Sequence, residues 1–220
     1  MASQYHLDAS VDIGSPAPNA IQGGSFTVSG TASCDLLKDD PEEPDIFVRH
    51  ANEAITGVQI RLGSAGPFTA TPTGSAATPW ISWAFTASSV PNGPLTITAD
   101  VFASQSPAAP GRASLSRAVI VDVMPPTLTI TPPADVVRPA PPFIATITGT
   151  ASDSPAGVGA VEWQFNNGGW HAATGTTSWS ADVPLPGVGL YTVSFHAGDN
   201  LGNISTVQNV NVRVGDMRRH

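Results

Sequence analysis

The sequence predicts an all-β protein built from two antiparallel β-sandwich domains. The chain has 220 residues, enough for two domains of ordinary size, and contains 21 Gly, 21 Pro and only 12% charged residues. Short segments of alternating apolar and polar residues are separated by turns rich in Gly, Pro, Asn and Ser. Segments of the first half also recur in the same order in the second half. Together these three observations favour two similar sandwiches in succession.

The composition disfavours helices, because Pro and Gly break them and β-branched residues lose rotamer freedom in them. Disorder is the alternative for a chain rich in Pro, Gly and Ser. The hydrophobic content of 41%, with five Trp and eight Phe, argues against disorder because it supplies enough apolar surface for a core.

The clearest repeat pairs "FTVSGTASCD" at residues 26–35 with "ATITGTASDS" at residues 145–154. Each copy is followed by an alternating segment, "GVQIRL" at 57–62 and "AVEWQF" at 160–165. Alternation with a period of two predicts strands with one buried face. The residues expected to face inward are Val58, Ile60, Leu62, Val161, Trp163 and Phe165.

The other strands follow from the same pattern, which gives about seven strands per half, as in a β-sandwich. They are predicted at 6–13, 82–87, 94–103 and 116–123 in the first half, and at 127–131, 178–183, 190–199 and 207–214 in the second. Pro125 and Pro126 remove two backbone donors, so no strand can run through them. We therefore expect one domain over 1–123 and a second over 124–220.

Residues 124–214 contain a "GTASD" strand, a "VEWQF" strand with a Gly hairpin, a Trp before the next strand, and "AGDNLGN" near the end. These features resemble bacterial immunoglobulin-like (Big-type) repeats of surface adhesins and secreted enzymes. The resemblance implies two tandem immunoglobulin-like sandwiches that serve as spacers, adhesins or sugar binders. Residues 5–123 keep the scaffold but lack the acidic turn, since Ala103 stands near the position of Asp199.

A calcium site is one hypothesis for the end of the second domain. Asp153, Asp199, Asn200 and Asn203 are expected to converge there, and Asp122 at the junction is a further candidate. Calcium takes six to eight oxygen ligands, and the resemblance implies ion sites between such modules. The alternative is a simple turn capped by Asp199 and Asn200, with Gly202 in a left-handed conformation. The first domain has Cys34 and Ala103 instead, so the same site is not expected there.

An acidic insertion distinguishes the first domain. The stretch from Ser33 to Val58 is about 16 residues longer than the matching stretch from Ser152 to Val161, and we expect an ordered, non-catalytic loop at about 34–56. It would bind a metal ion or a basic partner; the alternative is a solvated insertion. The apolar pair Ile46 and Phe47 indicates that the loop packs back on its own domain or docks on a neighbour. Its candidate interaction residues are Asp39, Asp40, Glu42, Glu43, Asp45 and Phe47.

Exposed tryptophans are the candidates for glycan binding, because their ring face covers the C–H face of a sugar. Trp80 and Trp170 are expected to be exposed, whereas Trp83 and Trp179 occupy equivalent repeat positions and are expected to be structural. His196 is expected to point outward from its strand.

Other functional classes find no support in the sequence. The net charge of −8 argues against nucleic-acid binding. No apolar run reaches the roughly 20 residues that span a bilayer, so we expect no membrane insertion, and no signal peptide is recognisable. The five His form no zinc-hydrolase pattern, and the chain lacks a nucleophile elbow and a phosphate-binding loop, so no enzymatic activity is expected.

We therefore expect a non-catalytic structural or interaction module, acting as a spacer or adhesive unit that binds a protein or a surface glycan. A carbohydrate-binding module and an accessory domain pair of a larger secreted enzyme are the alternatives. The expected location is extracellular or on the cell surface, as part of a longer chain. The alternative is a phage or injection particle component made in the cytoplasm.

Overall fold

β-strands dominate the computed structural model, which describes residues 4–40, 42, 45–106, 108–137 and 142–215. The all-β fold class predicted from the sequence is confirmed, with immunoglobulin-like antiparallel sandwiches. The chain divides into a first unit, residues 1–121, and a second unit, residues 122–220. Among the described residues, no helix has the length and apolar character needed to cross a membrane.

Within its described residues, the first unit contains ten strands and two single-turn 3₁₀ helices, Asn52–Ala54 and Pro79–Ile81. The strands are β1 (Tyr5–Ser15), β2 (Ile21–Gln22), β3 (Phe26–Lys38), β4 (Ile46–His50), β5 (Ile55–Leu62), β6 (Ala65–Thr69), β7 (Thr71–Pro72), β8 (Ser82–Ala87), β9 (Gly93–Ala103) and β10 (Gly111–Val121). One sheet has the order β1-β3-β8-β7, with β4 also paired to β3, and the other has the order β2-β10-β9-β5-β6.

The described residues of the second unit form a three-stranded and a five-stranded sheet. The strands are β11 (Thr127–Thr131), β12 (Val136–Val137), β13 (Phe143–Ser152), β14 (Val158–Phe165), β15 (His171–Ala172), β16 (Ser178–Leu185), β17 (Gly189–Asp199) and β18 (Gln208–Gly215). The sheets have the orders β11-β13-β16 and β12-β18-β17-β14-β15. Each strand predicted from the sequence overlaps one of the observed strands.

The cores follow the predicted alternation, most regularly in β13, where every second residue is buried. Val58, Ile60 and Val161 are buried as expected, but Leu62, Trp163 and Phe165 are only partly buried against the cores. Trp163 packs against the core as expected but is only partly buried, whereas Trp179 is 3% exposed. The ring of Trp163 stacks on that of His171 in the edge strand β15.

The glycine of the repeated "GTAS" segment is required by packing. Gly30 pairs with Trp83 across β3 and β8, and Gly149 pairs with Trp179 across β13 and β16. A Cβ atom at either glycine would collide with the indole ring of its tryptophan and with a backbone carbonyl oxygen of the adjacent strand. Because each indole lies directly over a strand that has no side chain at that point, both halves need glycine there.

The acidic insertion is mostly strand, so the expectation of a loop over 34–56 is wrong. β3 continues through Cys34 to Lys38, and β4 runs back along it with Asp35 opposite His50 and Lys38 opposite Ile46. On its other side, β3 remains paired with β1 as far as Tyr5. The insertion extends the sheet because β1 continues to supply hydrogen-bonding partners to β3.

Candidate metal centre

Three aspartates meet at one end of the second unit. Asp122 precedes β11, Asp153 follows β13, and Asp199 is the last residue of β17. One carboxylate oxygen from each lies within 4.8 Å of the others. Asp122 and Asp199 are buried and Asp153 is partly buried. We call these three residues the aspartate cluster.

Asp199 is held by the turn that follows it. Its Oδ1 accepts hydrogen bonds from the backbone N–H groups of Leu201 and Asn203, both at 2.8 Å, and its Oδ2 accepts one from Asn203 Nδ2 at 2.7 Å. Gly202 has the left-handed φ of 91°. Burial alone would raise the pKa of Asp199, but these hydrogen bonds outweigh it and lower the pKa below its usual value. The turn expected from the sequence therefore also fixes this carboxylate.

Asp122 joins two other segments to the cluster. Its Oδ1 accepts a hydrogen bond from Met124 N–H and its Oδ2 one from Ala156 N–H, both at 3.0 Å. Asn203 Nδ2 also donates to the Asp122 carbonyl oxygen at 3.3 Å. Asn203 thus connects Asp122 with Asp199 as a donor, rather than offering its oxygen to an ion.

Asp153 is the member of the cluster whose charge is least compensated. Its Oδ2 is buried and has no hydrogen-bond partner in the described structure. Burial and the Asp122 carboxylate raise the pKa of Asp153, with a smaller contribution from Asp199, against backbone hydrogen bonds from Gly157 and Ser154. Buried polar atoms are rarely left without a partner, so this oxygen calls for a compensating group.

The donor set fits a hard cation. The cluster offers carboxylate oxygens and no sulfur or nitrogen ligand, which is the chemistry that calcium prefers. The side chain of Asn200, a predicted ligand, donates through its Nδ2 to the carbonyl oxygen of Ala156 at 2.7 Å. Its role is to tie the end of β17 to the loop that follows Asp153.

The corresponding place in the first unit is apolar. Cys34 and Ala103 are both buried in the core. Burial raises the pKa of the Cys34 thiol to about 11, with further contributions from the carboxylates of Asp35, Asp8 and Glu53. Since the thiolate is the nucleophile and the metal ligand, Cys34 is an inert packing residue near neutral pH.

Two acidic residues of the insertion, Asp39 and Asp45, lie beside the partly buried His6. His6 Nδ1 lies 2.6 Å from Asp39 Oδ1, and its Nε2 lies 3.5 Å from Asp45 Oδ2. Asp40 Oδ1 accepts a hydrogen bond from Glu42 N–H at 2.9 Å. Glu43 lies outside the described residues. Phe47 is exposed on β4.

The two candidate glycan-binding tryptophans differ in their exposure to solvent. Trp80 is partly buried against the core of the first unit, so the expectation that it is exposed is wrong. Trp170 is 37% exposed, and its ring centroid lies 3.9 Å from that of His196. His196 points outward from its strand as expected, but it is only 7% exposed and its Nε2 lies 2.9 Å from Glu162 Oε2. Strand alternation places His196 on the outer face, but Trp170 and Glu162 cover it there.

Comparison with known proteins finds similar folds among solved structures. No protein-family model matches the chain, and no curated protein matches it. A bacterial ice-binding adhesin of 1.5 MDa, studied for host cell surface retention, is 15% identical with a TM-score of 0.52; the match covers 97% of this chain and 66% of that one.

Two further solved structures are similar at lower scores. The fibronectin(III)-like modules of Clostridium thermocellum CbhA are 18% identical with a TM-score of 0.41, covering 96% of this chain and 97% of theirs. A Ca²⁺-stabilized ice-binding adhesin of an Antarctic bacterium is 16% identical with a TM-score of 0.47, covering 98% and 50%. At these identities the similarity concerns the sandwich fold alone.

Proposed function

We propose that this chain is a non-catalytic structural or adhesive module of a surface or particle-associated protein, and that calcium stiffens its second unit. The second unit would be a bacterial immunoglobulin-like domain of the Big type. The observation that carries the calcium proposal is the buried Asp153 Oδ2, which has no hydrogen-bond partner among the described residues and lies beside two further carboxylates.

Calcium would act here through charge compensation. Three ionised carboxylates within 4.8 Å repel one another, and a divalent cation bound among them removes that cost. The cluster joins the segment before β11, the loop after β13 and the turn after β17. An ion that binds only the folded state would therefore resist separation of these three segments.

Thermal unfolding of the whole chain tests this proposal. We expect calcium in excess over EDTA to raise the melting temperature, by an amount that grows with calcium concentration, because binding stabilises the folded state by mass action. Magnesium should have a smaller effect, since it demands octahedral geometry and gives up its waters reluctantly. Identical melting curves in EDTA and in calcium would contradict calcium binding.

Carbohydrate binding at Trp170 is a second candidate. The observation in its favour is that this exposed indole lies on the outer face of a sheet, next to the hydrogen-bonded pair Glu162–His196. Aromatic stacking combined with neighbouring polar groups suits a sugar ring. We expect a soluble polysaccharide to quench tryptophan fluorescence in the wild type and not in Trp170→Ala, with Leu190→Ala as an exposed control in the same unit. Unchanged binding by Trp170→Ala would rule out this site.

A further inference from the structure

Two adjoining cavities lie on the outer face of the sheet β2-β10-β9-β5-β6 in the first unit. The first has a volume of about 310 Å³, and the outward-pointing side chains that line it include Arg61, Asp100, Phe102 and Arg112. The second has a volume of about 330 Å³ and is lined by Phe102 and Trp80, among others. Volumes of this size fall within the range of small-ligand sites. Because Phe102 lines both cavities, we call them together the Phe102 groove.

The first cavity is electropositive. The guanidinium of Arg112 lies over the ring of Phe102, 5.1 Å from its centroid, and no described acidic residue forms a salt bridge with it. Asp100 Oδ2 lies 3.2 Å from Arg61 Nη1 but accepts no hydrogen bond within the described structure, so Arg61 keeps its N–H donors for other partners. Two arginines against one aspartate leave a net positive charge here, on a chain whose net charge is −8. The cavity therefore attracts an anionic group.

The second cavity offers aromatic rings and neutral hydrogen-bonding groups. Phe102 and Trp80 are both partly exposed. Gly57, opposite Phe102 in the β5–β9 pairing, has no side chain to fill the space, and a Cβ atom there would have Trp80 Cζ2 as its nearest neighbour, at 4.0 Å. Gln59 and Thr69, which pair across β5 and β6, add an amide and a hydroxyl group. Aromatic rings beside such polar groups suit a sugar ring.

We propose that the Phe102 groove binds a polysaccharide that contains uronic acids, with a sugar ring in the second cavity and a carboxylate on Arg112. In a uronic acid the carboxylate is attached to the sugar ring itself, so a sugar against Phe102 brings a carboxylate toward the guanidinium above the same side chain. Arginine binds carboxylates through paired N–H···O bonds. Arg112 lines the first cavity and not the second, so it leaves that side of Phe102 accessible.

Other anionic polymers fit the groove less well. The groove lies on the face of the sheet, where β9 and β5 are each paired on both sides, so it offers no free backbone edge to an extended peptide. A nucleic acid needs clustered Lys and Arg, whereas this cavity combines two arginines with an aspartate. The proposed site differs from Trp170 in its unit and in the charge of its ligand, and it does not require calcium.

Isothermal titration calorimetry of the intact chain with a short oligogalacturonide tests the role of Arg112. EDTA is present throughout, so that ions at the aspartate cluster do not contribute. The wild type should bind, and Arg112→Gln should bind about tenfold more weakly, because it loses charge-assisted hydrogen bonds. Arg213→Gln, an exposed arginine of the second unit, should bind like the wild type. The methyl-esterified oligogalacturonide, which has the same rings without the charge, should bind the wild type and Arg112→Gln equally.

Gly57→Leu tests the second cavity by filling it. We expect this variant to lose binding, whereas Gly23→Leu, at a site in the same unit where an added Cβ would meet no atom within 4 Å, should retain it. Circular dichroism checks that each variant is folded.

Three results would overturn the proposal: a wild type that does not bind the oligogalacturonide, binding that persists in both Arg112→Gln and Gly57→Leu, and equal binding of an oligoglutamate peptide. The third result would show an acidic peptide or general anion site instead. Calcium binding is measured separately and without the sugar, so the failure of one proposal leaves the other standing.

Discussion

Replacing Asp153 by Asn is expected to change the stability of the second unit in opposite directions with and without calcium. Without calcium, the ionised carboxylate costs free energy, because it lies beside Asp122 and Asp199 and no described residue forms a hydrogen bond with its Oδ2. A buried polar atom without a partner costs about 1–3 kcal/mol. Asn carries no charge and offers N–H donors to the other two carboxylates, so we expect a gain of about 1 kcal/mol in the free energy of unfolding. For a domain of this size that corresponds to about 4–8 °C in Tm.

With calcium the order reverses. At a calcium concentration of about 100 Kd, the wild type gains about 2.7 kcal/mol by mass action. The Asn variant lacks one charged ligand and gains much less. The wild type should therefore melt above the variant in calcium and below it in EDTA.

The pH dependence of stability gives an independent check that the ionised Asp153 carboxylate destabilises the calcium-free protein. The pKa of Asp153 is raised in the folded state, so proton binding there favours folding. That contribution is fully present below the ordinary Asp pKa, near 3.9, and is lost as the pH rises through the raised value. The advantage of Asp153→Asn in EDTA should therefore vanish toward pH 3.

The assay is thermal unfolding of the intact chain followed by circular dichroism, in EDTA and in excess calcium, across this pH range. Asp135→Asn, an exposed carboxylate of the same unit, serves as the control for a general charge effect. If Asp153→Asn is less stable than the wild type in EDTA, the ionised Asp153 carboxylate does not destabilise the calcium-free protein. Equal calcium gains in both proteins would refute binding at the aspartate cluster.

Three further predictions concern the turn that follows Asp199 and the cores of the two units. Gly149→Ala should destabilise the second unit by about 1–3 kcal/mol in urea unfolding, because the added Cβ would collide with the indole of Trp179. Gly169→Ala is the control and should be neutral, since its Cβ would meet no atom within 4 Å. Equal losses of stability in the two variants would contradict this packing. The pKa of Asp199 is lowered in the folded state, so the stabilisation that this carboxylate provides is present above about pH 4 and is lost as the pH falls through the lowered value. Asp199→Asn should therefore lower the free energy of unfolding at pH 7 and make the protein lose less stability below about pH 4. An acid-unfolding profile identical to that of the wild type would contradict this role of Asp199. Cys34 should react slowly with a thiol reagent at pH 7.5 and completely in denaturant; fast reaction of the folded protein would show that its thiol is accessible.

Some parts of the aspartate cluster could be predicted from sequence and others could not. Asp153 and Asp199 directly follow or end strongly alternating strands, so their position at strand ends is a local property. The role of Asn203 as a donor could not be predicted, because it depends on which way an amide turns between two carboxylates. Neither could the hydrogen bond of Asn200 to the Ala156 carbonyl, which lies 44 positions earlier in the chain.

The all-β class, the approximate positions of the strands and most inward-facing residues follow from the pattern of residues along the chain. Alternation is sufficient for this because successive side chains on a strand point to opposite faces whatever lies beyond them. How well each face is covered depends on the tertiary fold. Trp163 is only partly buried against the core, and Trp170 covers the outward-facing His196. Pairing of β3 with β1 and β4 makes the acidic insertion part of a sheet, in which β4 has one paired side among the described residues. Burial, lost hydrogen bonds and free edges depend on which distant segments meet, and that is set by the path of the chain rather than by its local period.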